Sequence, residues 1–132
     1  MASGTIEAYG SKLQYYTPSI TAPNATGFTV ANISFSYMLT SDFLYITGRF
    51  QITNKGTGDS AIGITYPDGI SCVGAGVGSV GAVYPNIETN VQLSLRADSA
   101  NGMWIQVGAG GVNANQKIGN VYVCVWALIP RR

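Results

Sequence analysis

The chain has 132 residues, of which 46% are hydrophobic and only 10% are charged, and its net charge is +1. This length fits one domain with its own core, so we assign residues 1–11 to a linker or lead-in and residues 12–132 to a single domain. The seven basic and six acidic residues form no basic stripe, which argues against nucleic acid as a partner. So few charges predict a surface largely covered by partner chains or by the rest of a longer protein.

Strand signals occur along the whole chain, and no segment shows sustained helical periodicity. Taken in order, the strands are predicted near 12–20, 28–38, 43–53, 60–65, 70–75, 80–84, 90–96, 102–107 and 118–129, where 70–84 could be one interrupted strand. The run 44–52 is typical, because one face carries Leu44, Ile46, Phe50 and Ile52. About eight short strands separated by turn residues indicate an all-β, antiparallel sandwich.

The stretch Gly76–Gly81, Gly-Val-Gly-Ser-Val-Gly, matches the glycine fingerprint of dinucleotide-binding proteins. That fingerprint binds a pyrophosphate only where it opens a helix. No helical pattern follows it, and Pro85 excludes a helix interior there. We therefore predict no nucleotide site and assign both this segment and Gly108–Asn115 to glycine-rich connections between strands.

The last strand, 118–129, differs from the others because both of its faces are apolar. One face belongs to the core, so the other needs a cover, supplied either by another layer of the same chain or by identical subunits. The low charge favours subunits. The interface residues that we predict are Val121, Tyr122, Val123, Val125 and Trp126. The apolar run ending at Ile129 is about half of what a bilayer requires, so we expect no membrane insertion.

Catalysis is not favoured by this composition. The chain has no histidine, and its six carboxylates are Glu7, Asp42, Asp59, Asp68, Glu88 and Asp98. The four aspartates lie in turn-forming segments, where turn chemistry is the simpler explanation. We expect no metal and no cofactor. A small polysaccharide-cleaving domain with a carboxylate pair remains the alternative.

The two cysteines, Cys72 and Cys124, fit no metal-ligand spacing, and we predict that both are buried free thiols. Residues 1–10 lack the apolar segment of a signal peptide, so we expect no export signal, which favours free thiols over a disulfide.

The aromatic residues indicate a binding role. In Met103–Val107 the apolar alternation places Trp104 on the outer side of its strand, where a tryptophan is costly unless it is covered or used. Cover by a neighbouring subunit and use in binding are both open, and we take the second as the hypothesis. Aromatic rings suit the C–H faces of sugars, and turn acids and amides suit their hydroxyl edges. The glycan-binding candidates are Tyr66, Asp68, Trp104, Asn113 and Asn115.

Residues 15–72 resemble the small β-domains at the C-terminal ends of bacteriophage tail fibres and tailspikes. The resemblance is carried by Tyr16-Thr17-Pro18, Phe35-Ser36-Tyr37, Thr47-Gly48-Arg49-Phe50, Thr57-Gly58 and Tyr66-Pro67-Asp68-Gly69. Two segments depart from that pattern, the turn 38–42 and Tyr66, which replaces a leucine. Both departures lie at turns.

This resemblance implies a jelly-roll-like sandwich, a parallel homotrimer, and a role in trimer assembly or host-surface binding without catalytic residues. The implied partners are the rest of the fibre, N-terminal to this domain, and a bacterial surface polysaccharide or lipopolysaccharide. The domain would belong to the virion, act outside the host cell and be assembled in the host cytoplasm. A binding module is thus expected, with a purely structural trimerisation cap and the cleaving enzyme as alternatives.

Overall fold

The computed structural model describes residues 13–72, 77–83, 93–97, 101–107, 111–118 and 120–131, and over 77–83 the backbone alone. Nine strands and one five-residue helix occur in these ranges. In chain order they are β1 (Gln14–Tyr16), β2 (Ile20–Thr21), β3 (Thr29–Leu39), β4 (Phe43–Asn54), β5 (Ile62–Thr65), β6 (Val77–Val83), β7 (Leu93–Arg96), β8 (Gly102–Val107), α1 (Ala114–Ile118) and β9 (Tyr122–Pro130).

The strands form two antiparallel sheets. Sheet A has five strands in the order β1-β3-β4-β9-β6, and sheet B has four in the order β2-β5-β8-β7. The consecutive strands β4 to β7 alternate between the sheets, and β9 and β8 are each inserted between two of them. The predicted all-β, antiparallel architecture of two sheets is therefore confirmed.

The core lies between the two sheets and follows the predicted alternation. In β4 the side chains Leu44, Ile46, Phe50 and Ile52 are completely buried, as predicted. Sheet B faces them with buried side chains of β5 and β8, namely Ile62, Ile64, Met103 and Ile105. Each such side chain stabilises the fold by about 1.5–3 kcal/mol relative to leaving it exposed.

One inward position of β4 is a glycine for a steric reason. Gly48 pairs with Phe35 of β3, and a Cβ at Gly48 would overlap the Phe35 ring. That ring is stacked on Phe50, with centroids 6.4 Å apart, and packs edge to face with the Tyr16 ring, with centroids 5.8 Å apart. Because Gly48 has no side chain, the Phe35 ring of the neighbouring strand can pack over it in the core.

The structure differs from the sequence prediction at several elements. The strand predicted near 12–20 is interrupted and forms β1 and β2, which belong to different sheets. Helix α1 was not predicted, because five residues are too few to establish a 3.6-residue period. Residues 70–72 are not a strand, whereas Val77–Gly81 lie in β6. Glycines expected in a connection are therefore part of a strand, and in the described part of the fingerprint they open no helix.

Some predictions fall outside the described residues. These are the lead-in 1–11, the segments 73–76 and 90–92, residues 108–110 of the glycine-rich connection, and single residues 12, 84 and 119 of predicted strands.

Candidate functional site

Trp104 occupies the outer face of sheet B, as its sequence position predicts. Its neighbours in β8, Met103 and Ile105, are buried in the core, so the alternation turns Trp104 outward. Across the ladder Trp104 pairs with Gly63 of β5. A Cβ at Gly63 would lie 2.9 Å from the ring carbon Cζ3 of Trp104, so the indole rests on the bare glycine backbone. This contact leaves the ring half-buried and held flat on the sheet.

A shallow groove of about 160 Å³ runs beside the indole. Its polar lining comes from Ser19, Thr21, Thr65 and Asn101. The Ser19 backbone N–H donates to Thr65 Oγ1 at 2.9 Å, which fixes that hydroxyl on the sheet. Arg96 of β7 pairs with Trp104 from the other side. The indole is therefore bordered by hydroxyl and amide groups of the groove, with Arg96 at the paired position of the next strand.

The groove includes residues that were not recognised in the sequence. Gly63 is the most important of these, because it allows the indole to lie flat. A lone glycine between two isoleucines of a short strand is a signal of close approach, and it was available in Ile62-Gly63-Ile64. Thr21 and Arg96 gave no such signal, since only the pairing of four strands places them beside Trp104.

Two of the other predicted glycan contacts, Tyr66 and Asp68, do not line this groove. Tyr66 is 4% exposed and belongs to the core, so its ring is not available to stack on a sugar. Asp68 is exposed in a turn in which the Ile70 N–H donates to the Pro67 carbonyl at 3.1 Å. It does not line the Trp104 groove.

Asn115 of helix α1 is a structural residue. It is completely buried, and its Nδ2 donates to the carbonyls of Lys55 and Gly58 at 2.9 and 2.8 Å, while its Oδ1 accepts from the Ser60 N–H at 2.8 Å. These bonds hold the loop after β4, so the predicted contact with sugar hydroxyls is corrected for Asn115. Asn113 is half-buried beside a separate polar hollow of about 620 Å³, next to that loop.

The described carboxylates lie in turns and loops, as predicted. Asp42 is in the β3–β4 turn, Asp59 in the loop before β5 and Asp68 in the turn after it; Glu7, Glu88 and Asp98 are outside the described residues. None of the three lines the Trp104 groove. The described ranges contain no cluster of residues able to hold a metal ion and no helix long and apolar enough to cross a membrane.

The predicted interface strand β9 divides its side chains between the core and the outer face of sheet A. Val123 and Val125 of β9, and Val121 directly before it, are at most 3% exposed and pack in the core of their own chain. They are therefore unavailable to another subunit, which corrects their assignment to an interface. Tyr122 and Trp126 point outward and are 39% and 43% exposed. Strand alternation explains the division, because one face of β9 is needed to complete the sandwich.

Both cysteines are free thiols, but only one is buried. Burial raises the pKa of the Cys72 thiol, and Arg131 offsets part of that rise. Cys124 is exposed on the outer face of sheet A, opposite Arg49. The prediction that Cys124 is buried is wrong, because its strand turns the alternate valines inward.

Comparison of the chain with protein-family models, with curated proteins and with solved structures finds no match. The Trp104 groove and the outer face of sheet A therefore have to be interpreted from their own chemistry.

Proposed function

We propose that this protein is a non-enzymatic glycan-binding module of the kind found at the C-terminal ends of bacteriophage tail fibres and tailspikes. Its ligand would be a bacterial surface polysaccharide or lipopolysaccharide, which the virion binds outside the host cell. The observation that carries the proposal is the Trp104 indole, seated on Gly63 at the outside of sheet B with hydroxyl and amide groups beside it.

This arrangement suits a sugar for two physical reasons. A pyranose presents C–H groups on its face and hydroxyls on its edge, which matches an indole face bordered by Thr21, Thr65 and Asn101. The indole is also held in place before binding, because a rigid sheet supports it and Gly63 fixes its tilt. Little side-chain freedom is then lost on binding, which favours affinity.

Assembly and topology are part of the same proposal. The alternation of β4 to β7 between the sheets, with β8 and β9 inserted, supports a jelly-roll-like wrap. We propose a homotrimer, in which three weak grooves acting on one polysaccharide would supply affinity through effective concentration. Without a ligand for the groove, the module would be a trimerisation cap only.

The test is the binding of labelled protein to purified host polysaccharide and to host cells with and without that polysaccharide. Trp104→Ala should raise the Kd of each site about 30-fold, since loss of a tryptophan anchor costs about 2 kcal/mol. Val112→Ala is the control, because Val112 is 56% exposed and outside both sheets.

Equal binding by Trp104→Ala and wild type would contradict the proposed site. Shortened polysaccharide chains after incubation with wild-type protein would instead support the cleaving enzyme.

A further inference from the structure

The exposed hydrophobic side chains are concentrated on one surface. Six large hydrophobic residues are exposed among the described residues, and four of them lie on the outer face of sheet A: Tyr15, Phe43, Tyr122 and Trp126. A fifth, Leu13, directly precedes β1. The outer face of sheet A is here a set of described residues that the strand register places on that side, namely Tyr15, Ser34, Ser36, Met38, Phe43, Tyr45, Thr47, Arg49, Gln51, Tyr122, Cys124, Trp126 and Leu128.

The charge on this face is equally unusual. Arg49 is the single charged side chain within the set defined above, and the face carries none of the described carboxylates. The other described charged residues lie in turns and loops, on sheet B, in α1 or after β9: Asp42, Lys55, Asp59, Asp68, Arg96, Lys117 and Arg131. Large exposed hydrophobic side chains concentrated on one face with a single charge are typical of an interaction surface.

The shape of the face, with projecting rings beside a hollow, is compatible with binding another copy of this chain. One row across four strands pairs Tyr15, Ser36, Thr47 and Trp126, with an aromatic ring at each end and small side chains between. The small residues form the floor of a hollow of about 460 Å³. Tyr15, which is 84% exposed, projects beside it. The same surface therefore carries both projecting rings and a recess, so the rings of one copy can face the recess of the next around a closed ring of subunits.

The area of the face is also close to what a stable protein–protein interface requires. Five strands at the usual spacing, over the length of β9, cover roughly 600 Å² in projection. A stable interface takes about 800 Å² from each partner. Side-chain relief makes the accessible area of the face larger than its projection, so the face supplies most of one subunit's contribution.

We propose that the outer face of sheet A is the surface through which copies of this chain bind one another. The proposal rests on the assembly put forward under the proposed function, and it adds the location of the interface and its occupant, a second copy. It leaves the Trp104 groove on the opposite side of the sandwich free for ligand.

The test combines mass with thiol reactivity. The mass of wild-type protein, Trp126→Lys and Tyr15→Lys is measured by light scattering over a range of concentrations. Native protein is also alkylated, since Cys124 lies within the face whereas Cys72 is buried. Val112→Lys is the matched control, because it places the same charge at an exposed hydrophobic position outside both sheets.

We expect wild type and Val112→Lys to be oligomers with Cys124 protected. Both face variants should dissociate to monomers. Cys124 should then be alkylated at least about tenfold faster, because the reaction no longer has to wait for the interface between subunits to open. Circular dichroism checks that the variants are folded, and Tyr15→Lys is the safer one because its side chain contributes least to the monomer.

Oligomers that persist in both folded face variants, with unprotected Cys124, would overturn this interface but not the assembly. A wild type that is monomeric at every concentration would overturn both. If polysaccharide binds at the face around Cys124 rather than at Trp104, the outer face of sheet A is a ligand site and not the contact between copies.

Discussion

Among the described residues, each sheet has one position where an aromatic ring covers a glycine of the neighbouring strand, and the two positions face opposite directions. In sheet A, Phe35 covers Gly48 on the inner face, and in sheet B, Trp104 covers Gly63 on the outer face. In both cases an aromatic ring on one strand occupies the space left by a glycine on its neighbour. The inner pair fills the core, whereas the outer pair presents a flat ring to solvent.

The two outer faces of the sandwich differ in the number of aromatic side chains that they expose. Sheet A exposes several aromatic side chains around the small residues of one row, with Arg49 as its charge. Sheet B presents one indole bordered by hydroxyls, an amide and Arg96. Hydroxyl groups lie beside the rings on both faces, so the surroundings of a single ring do not distinguish an interface from a ligand site. The number of exposed rings does: several rings spread over sheet A favour another protein surface, whereas one ring beside a groove on sheet B favours a hydroxylated ligand.

The largest effect is expected for Gly48→Ala. The added methyl overlaps the Phe35 ring, which is itself wedged against Phe50 and Tyr16, so the free energy of unfolding should fall by about 3 kcal/mol. Urea denaturation measures this. In Phe35→Ala the ring is gone, so the same glycine change should cost much less there. An equal cost in both backgrounds would mean that the glycine is not required by the ring.

Asn115→Ala is expected to lower the free energy of unfolding by about 2–3 kcal/mol, because three hydrogen bonds to the loop after β4 are lost. Asn113→Ala, at a half-buried position two residues earlier, is the control with a smaller expected cost. The measurement is thermal or urea unfolding together with polysaccharide binding. Normal stability with weakened binding would instead return Asn115 to the ligand site.

Gly63→Ala separates the outer pair from the inner one. The methyl displaces the Trp104 ring, which is free to move toward solvent, so unfolding should change by less than about 1 kcal/mol. Polysaccharide binding should still weaken about tenfold, because the indole no longer lies at its fixed tilt. If Gly63→Ala destabilises the protein as much as Gly48→Ala does, the two pairs have the same structural role.

The smallest effect concerns alkaline pH. Burial first, and then neighbouring Tyr66 and Tyr37, raise the pKa of Tyr16 well above its usual value near 10. The unfolded chain therefore loses this proton at a lower pH than the folded protein, and stability falls as the pH rises above about 10.

Tyr16→Phe should weaken that pH dependence and also remove the hydrogen bond from Tyr16 Oη to the Thr65 carbonyl, which joins the two sheets. Tyr15→Phe, at the exposed neighbouring position, should leave the dependence unchanged. Melting temperatures between pH 8 and pH 11 decide between these outcomes.

The sequence alone determined the period-two patterns and hence the strands, the inward set of β4 and the outward direction of Trp104. These features depend on alternation along one strand, which is visible without knowing any partner strand. Alternation also implies that in β9 only one set of side chains can face outward. The apolar composition of both faces concealed which set that is.

Only the tertiary structure decided what lies across from each residue. Tyr66 and Asn115 have polar groups typical of binding loops, yet packing buries both. Gly63 shows no chemistry in the sequence, yet its pairing with Trp104 creates the groove. Pairs between strands join residues that are far apart in the chain, and their register depends on the whole sandwich rather than on local sequence. The alternation of a strand is local, whereas its neighbours are chosen by the fold.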